Sequence, residues 1–399
     1  MSKESKIYKN SPKKVHIRTF GCQMNEYDSE VIKTNLLQRG YLFTEESEEA
    51  DVILVNGCSV REHAEERLWR NLENLRRLRE EKPELIFGVL GCIAQNHKEN
   101  IFKRFPFVNL VCGPHNLPEI FNHIENLNSR TRILAVDEEE RDLENFHLTS
   151  TPGVEGGSPR RGYVLIMSGC NNFCSYCVVP YLRGREKSRR MESILEEVRM
   201  LVESGHEEIT LLGQNVNSYR LQATGCKLQA KNNKNDFVEL LREVNKIDGV
   251  EKISFATSHP KDASEELFKA MRDLPKVDKY LHLPFQSGSN RILKLMRRGY
   301  TREDYLGQIK KLKEILPQCK ISTDVIVGFP GEREEDFQET KELMEEVKFD
   351  NAYIFKYSPR PGTAAARLRD DVPLEIKKER NQVLLELQKR IARRKNVKM

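Results

Sequence analysis

Cys170, Cys174 and Cys177 stand in the spacing C-x3-C-x2-C, within the run Ser168-Gly169-Cys170-Asn171-Asn172-Phe173-Cys174-Ser175-Tyr176-Cys177. Thiolates this close along a chain can fold around one metal centre. A structural zinc site is normally closed by a fourth Cys or His, and the nearest histidines, His147 and His206, are remote in sequence. Three thiolates suit a [4Fe–4S] cluster better, because Cys runs of this kind hold iron–sulfur clusters and three ligands leave one iron open. A non-catalytic, zinc-stabilised RNA-binding protein is the alternative of a different class.

A second trio is spread out. Cys22, Cys58 and Cys92 each follow a glycine, and each Gly-Cys step ends a short apolar or β-branched run, at 15–20, 51–56 and 85–90. Polar segments of helical character follow, giving the βαβ rhythm of a parallel sheet. All three thiols should then emerge on one sheet edge, where α/β folds place ligands. The bland reading is three buried small thiols, a common fate of free cysteine. Convergence on a second centre accounts better for three repeated steps.

A further alternating series begins after residue 160, with strands expected at 163–167, 208–212, 252–255, 280–283, 320–327 and 352–357. Six strands with intervening helices imply a full or partial (β/α)6 barrel with its active site at the strand carboxyl ends. The first trio follows the first of these strands. The fold class is therefore α/β, with an N-terminal parallel-sheet domain (14–140), a Gly/Pro-rich linker (141–161), a barrel (162–376) and a basic C-terminal helix (377–399). Residues 219–235 read as a surface insertion.

Composition bounds the rest. The chain has 399 residues, 38% hydrophobic and 32% charged, room for two domains. It has no apolar run of membrane-spanning length and no apolar h-region near its start, so a cytosolic protein with no membrane partner is expected. Nine cysteines in such a compartment are not a disulfide framework; Cys112, Cys226 and Cys319 read as structural. The net charge of +5 is too mild to prove a nucleic-acid partner. Residues 377–399 carry nine Lys/Arg against two Glu, which also describes an ordinary solvated helix face. Trp69 and the acidic run 45–49 read as packing and surface.

The C-x3-C-x2-C loop, with Tyr176 before its last cysteine, is similar to that of the radical S-adenosylmethionine (SAM) superfamily. The surrounding words are more specific. Thr19-Phe20-Gly21-Cys22-Gln23-Met24-Asn25-Glu26-Tyr27-Asp28-Ser29, Cys58-Ser59-Val60-Arg61-Glu62 and Gly91-Cys92-Ile93-Ala94-Gln95 resemble the methylthiotransferase family of these enzymes. So do Cys177-Val178-Val179-Pro180-Tyr181, Gly213-Gln214-Asn215-Val216-Asn217-Ser218-Tyr219, Thr257-Ser258-His259-Pro260 and Leu281-His282-Leu283-Pro284. Gln286-Ser287-Gly288-Ser289-Asn290, Gly328-Phe329-Pro330-Gly331-Glu332 and Tyr357-Ser358-Pro359-Arg360-Pro361-Gly362-Thr363 complete a resemblance running from about residue 14 to 390.

The resemblance implies two [4Fe–4S] clusters, one on Cys170, Cys174 and Cys177 and an auxiliary one on Cys22, Cys58 and Cys92. SAM would bind the open iron of the first, yield a 5′-deoxyadenosyl radical there, and contact Tyr176, Gly213, Gln214, Asn215, Ser258, Gln286 and Asp324. Within the family the first word looks like the branch that adds a methylthio group at C2 of N(6)-dimethylallyladenosine beside the tRNA anticodon. The sister branches act on threonylcarbamoyladenosine or a ribosomal-protein aspartate. The expected partners are a tRNA anticodon stem-loop, an electron donor such as flavodoxin or ferredoxin and a sulfur donor, with the enzyme a monomer.

Arg183, Arg185, Arg189 and Arg190 would meet tRNA phosphates or merely start a solvated helix. His259, His282 and Gln286 would line the SAM or substrate cavity or serve as ordinary polar structure, and Asp324 would reach a ribose or cap a strand. The sequence departs from the family pattern at Gly57, where Thr is usual, and at Ala364, where Pro is usual. The family's C-terminal RNA-binding β-barrel (the TRAM domain) is expected to be absent, with helix 377–399 as the approach to it.

Overall fold

The structure, a computed structural model, describes residues 12–60, 62–137, 143–144, 146–148, 160–221 and 236–396. Its contacts divide the chain into two units, Met1–Gly153 and Val154–Met399. In the first, β1 (Lys14–Phe20), β2 (Leu42–Phe43), β3 (Val52–Gly57), β4 (Ile86–Gly91), β5 (Leu110–Cys112) and β6 (Ile133–Ala135) form one parallel sheet. Its order is β2-β1-β3-β4-β5-β6. Every residue of β3 and β4 is buried, as expected of central parallel strands covered on both faces. Phe20, Ile53, Val55, Leu68, Leu72, Phe87 and Val89 share one core cluster with Trp69, which stacks on Phe105 at 5.6 Å between centroids.

After β1 the chain crosses to β2 on one side of it and then to β3 on the other. That reversal of direction makes the β1/β3 carboxyl ends a topological switch point, the place where open α/β sheets form their crevice. Three helices leave this edge or run back from it: α1 (Gln23–Leu37), α2 (Glu62–Glu81) and α3 (Cys92–His97).

In the second unit β7 (Arg161–Leu165), β10 (Glu208–Leu212) and β11 (Lys252–Phe255) form one parallel sheet; β12 (Tyr280–His282), β13 (Lys320–Val327) and β14 (Asn351–Lys356) form another. A parallel bridge between Ile253 and Val277 joins β11 to the approach of β12. The six strands run in sequence order across the two sheets, the pattern of a partial (β/α)6 barrel. A two-stranded antiparallel ribbon, β8 (Met167–Ser168) with β9 (Lys187–Ser188), brackets the loop of the first cysteine trio. The last described element is the helix Leu374–Asn396, whose Leu384, Leu387 and Ile391 are buried.

Two expectations need correction. The segment read as a polar linker holds Leu143, Phe146 and Leu148, all buried, so part of it is structural and falls in the first unit. Of the 219–235 insertion, Tyr219 is buried and its hydroxyl donates to the Arg189 carbonyl at 2.9 Å; Cys226 lies outside the described residues. Among the described residues no helix is long and apolar enough to cross a membrane.

Candidate functional site

The register of the first sheet aligns Phe20 with Gly57 and Gly57 with Gly91. Cys22, Cys58 and Cys92 follow immediately and converge at the switch point. Cys58 and Cys92 are buried and Cys22 is half-buried. A side-chain hydrogen bond with Cys22, burial, and the proximity of both Cys22 and Cys92 raise the Cys58 thiol well above its ordinary pKa. Space around these glycines is tight. A Cβ on Gly57 would lie 2.3 Å from Leu68 Cδ1 and 2.8 Å from Ile93 Cγ2. Gly91 has φ +83°, and its Cβ would lie 2.3 Å from Asn56 Oδ1.

Beneath the thiols runs a buried polar network that spacing did not reveal. Asn25 Oδ1 accepts from the Cys22 backbone N–H and from the Cys22 thiol, both at 3.4 Å. Asn25 Nδ2 donates to Asn56 Oδ1 at 3.1 Å. Asn56 Nδ2 donates to the Asn25 carbonyl and to Ser29 Oγ, both at 2.9 Å. Asn25 and Asn56 are fully inaccessible. Such a network survives burial only because its members are paired, and it fixes a single geometry for what it holds.

In the second unit the first trio occupies the loop between β8 and β9. Gly169 (φ +79°) lets the loop pass close to its return strand: a Cβ there would lie 2.0 Å from the Arg185 carbonyl oxygen. Cys170 N–H donates to the Gly184 carbonyl at 3.2 Å and Cys177 N–H to the Cys174 carbonyl at 3.0 Å. Burial, then the nearby Cys174, pushes the Cys177 thiol up to about 12, and burial also raises Cys170. A metal centre bound here would deprotonate its ligands, since a coordinating thiol is deprotonated outright. Three thiolates on one loop are a donor set of the kind that holds a [4Fe–4S] cluster.

The turn after β10 locks onto this loop. Gln214 Oε1 accepts from the Gly169 N–H at 2.6 Å, and Thr257 Oγ1 donates to the Gly213 carbonyl. Asn215 Nδ2 donates to Asp262 Oδ2 at 2.8 Å, while Asn215 Oδ1 and Ser258 Oγ are buried with no hydrogen-bond partner. A polar cavity of about 580 Å³ opens beside Asn215, lined also by Asn172, Glu186, Arg220, Lys261 and Asp262 among others. Orphaned buried polar atoms carry a desolvation cost that a polar ligand would relieve.

The remaining candidates separate. His282 bonds Ser322 Oγ at 2.8 Å and Asp324 Oδ2 at 3.3 Å, so Asp324 is engaged by a histidine. Gln286 takes a left-handed φ of +69°, and its backbone bridges Asp324 and Ile326. His259 is buried, accepts from the Lys261 N–H at 3.2 Å and meets the Tyr300 ring edge-on. Burial, then the cations Arg298 and Lys261, hold it near pKa 2.

The basic run does not present four cations to solvent. Arg183 and Arg189 are buried, and Arg189 pairs internally with the equally buried Glu197, because a buried charge needs a counter-charge. Neither can meet a phosphate directly. Arg185 is exposed, with its guanidinium 4.5 Å from the Phe173 ring centroid. Likewise Lys377 and Arg380 of the basic helix are buried against Asp370 and Glu332. Arg298, which sequence reasoning missed, reaches Cys174 Sγ at 3.3 Å and Tyr176 Oη at 3.4 Å; nothing in the pair Arg297-Arg298 signals this.

Residues 164–344 match the model of the radical SAM superfamily, and residues 14–113 match an uncharacterized protein family, UPF0004. Among solved structures, the radical SAM methyltransferase TsrM from Kitasatospora setae superposes with TM-score 0.60 at 14% identity, covering 89% of this chain and 77% of that one. The cobalamin-dependent SAM radical enzyme OxsB gives TM-score 0.60 at 14% identity, covering 93% and 56%. Fold and cysteine loop together define a radical SAM protein, a class that uses a [4Fe–4S] cluster and SAM.

Relatives narrow this further. The tRNA-2-methylthio-N(6)-dimethylallyladenosine synthase of Acetivibrio thermocellus is 49% identical over 98% of this chain and 80% of its own length. That of Caldicellulosiruptor saccharolyticus is 48% identical over 98% and 81%. The chain belongs to the tRNA-2-methylthio-N(6)-dimethylallyladenosine synthase family.

Proposed function

We propose that this chain is a transferase that adds sulfur and a methyl group at C2 of N(6)-dimethylallyladenosine beside the tRNA anticodon, using two [4Fe–4S] clusters and SAM. The observation that carries the reading is the convergence of Cys22, Cys58 and Cys92 at the switch point of a sheet separate from the one that bears Cys170, Cys174 and Cys177. A radical SAM protein needs only one trio. A second, with the buried Asn25–Asn56 pair beneath it, supports the reading of a second centre.

When bound, the cluster on Cys170, Cys174 and Cys177 supplies the electron that cleaves SAM, and the auxiliary cluster supplies or carries the sulfur. The chain's own residues hold and orient. Gln214 ties the cluster loop to the turn after β10. Asn215 Oδ1 and Ser258 Oγ offer polar contacts to SAM's amino and carboxylate groups. Tyr176 packs by its adenine, while Gly213 and the Gln286 and Asp324 strand ends close the cavity. His259 and His282 orient their neighbours, and Arg185, beside Phe173, offers a cation to the RNA backbone.

A cytosolic monomer, reduced by a flavodoxin or ferredoxin and resupplied by a sulfur donor, fits these needs. Mass spectrometry of tRNA nucleosides from a deletion strain tests the activity. Loss of the 2-methylthio group with N(6)-dimethylallyladenosine left behind supports it; unchanged tRNA, or loss of a methylthio group from threonylcarbamoyladenosine alone, overturns it.

A further inference from the structure

Arg298 is 5% exposed, and among the described residues no carboxylate lies within ion-pair distance of it. Its Nη2 donates to the Pro284 carbonyl at 3.0 Å and its Nε to Tyr300 Oη at 3.1 Å. Nη1 points at Cys174 Sγ and Tyr176 Oη. The donors are thus satisfied, but the charge is not. Leaving an ion buried without its partner is strongly destabilising. Three other buried cations avoid that: Arg189 has Glu197, Lys377 has Asp370 and Arg380 has Glu332.

The backbone is shaped to deliver Arg298 to this spot. The helix Asn290–Leu295 ends through Arg297, whose φ is +57°, and the chain doubles back with Arg298 N–H on the Leu293 carbonyl at 3.0 Å. The same turn grips the cysteine loop directly. Ser175 N–H donates to the Met296 carbonyl at 2.9 Å, and Ser175 Oγ to the Leu295 carbonyl at 2.8 Å. One helix terminus therefore fixes the residue after Cys174 and aims a guanidinium at the Cys174 sulfur.

We propose that Arg298 is a positioning residue whose fixed positive charge is the counter-ion of the Cys174 thiolate and its cluster, and that it raises the reduction potential of that cluster. The inference rests on the reading that Cys170, Cys174 and Cys177 hold a four-iron centre. Net charge and hydrogen bonds to the sulfurs are among the main determinants of such potentials. Reduction adds one negative charge to a buried site, and a desolvated cation beside it stabilises the reduced form more than the oxidised one.

The test uses the full chain, reconstituted anaerobically, as wild type, Arg298→Lys and Arg298→Gln. Cys22, Cys58 and Cys92 are replaced by Ala, so that the remaining iron reports one centre. Iron content is read first: a parent that takes up no iron defeats the underlying reading and not this one. In loaded protein, Arg298→Gln should retain iron yet be harder to reduce by roughly tenfold in the equilibrium, about 59 mV for one electron. Arg298→Lys, which keeps the charge, should recover a substantial part of the shift. SAM cleavage under a weak reductant should fall in the same order. An EPR-monitored titration of the intact chain, following the signal that SAM perturbs, repeats the measurement should the triple variant not fold. Equal potentials in all three proteins, or iron loss in both variants with no shift in the cluster that remains, would overturn the proposal.

Discussion

Gln214 Oε1 accepts a hydrogen bond from the Gly169 backbone N–H at 2.6 Å, tying the end of β10 to the start of the Cys170–Cys177 loop. The bond lies beyond the carboxyl ends of the adjacent parallel strands β7 and β10, where a barrel assembles its site. Replacing Gln214 by Ala strands a part-buried amide, at a cost of about 1–3 kcal/mol. We expect Gln214→Ala to keep the overall fold by circular dichroism, lose iron from this centre faster under chelator challenge, and cleave SAM more slowly. Unchanged iron release would show that the loop orders itself without Gln214.

Asn56 has the corresponding place under the other trio. Asn56→Ala removes one acceptor and two donors from the network with Asn25 and Ser29, and unpaired buried partners cost about 1–3 kcal/mol each. The first unit should melt earlier, and reconstituted iron should fall toward that of the variant lacking Cys22, Cys58 and Cys92. Loss confined to the other centre would refute the assignment of the network.

Gly57 marks a departure from the family's usual Thr. Overpacking typically costs about 1–3 kcal/mol, and Leu68 Cδ1 already occupies the space a Cβ would need. Gly57→Thr should therefore destabilise this chain, and adding Leu68→Ala should restore part of the loss. Denaturant melts of the single and double variants measure both. A neutral Gly57→Thr would mean that α2 shifts freely.

His259 should make the second unit acid-sensitive. Its folded pKa is lowered to about 2, below the ordinary value near 6.5. The unfolded chain therefore takes up a proton that the fold refuses. The stabilisation is fully present above pH 6.5 and declines as pH falls below it, by at most about 1.4 kcal/mol per unit. In melts at pH 7 and pH 5, His259→Gln should show a smaller pH difference than wild type. An unaltered difference would place the acid sensitivity elsewhere.

Much of the fold was legible because its strands are continuous apolar runs. Residues 208–212, 252–255 and 320–327 were read with the bounds observed for β10, β11 and β13, and the three Gly-Cys steps placed the second trio on one sheet edge. β5 and β6, three residues each, carry too little periodicity to stand out. Leu143, Phe146 and Leu148 hid in a polar, proline-containing stretch, since composition averages over the few side chains that are buried. Charge runs misled most. Arg183 and Arg189 were read by sign, yet the sign of a charge does not report burial, and both are buried. Arg298 and Asn56 were invisible for a related reason: Arg298 meets Cys174 and Asn56 meets Asn25 across long stretches of chain, and sequence spacing reports only local geometry.

The central claim is that the chain carries two clusters, one on each trio. Anaerobic reconstitution of the full chain, followed by iron and zinc analysis, tests it most directly. Wild type should bind about eight irons, two four-iron clusters. The Cys22→Ala, Cys58→Ala, Cys92→Ala variant should bind about four. Equal iron in both proteins, or stoichiometric zinc without SAM cleavage after reduction, would contradict the account.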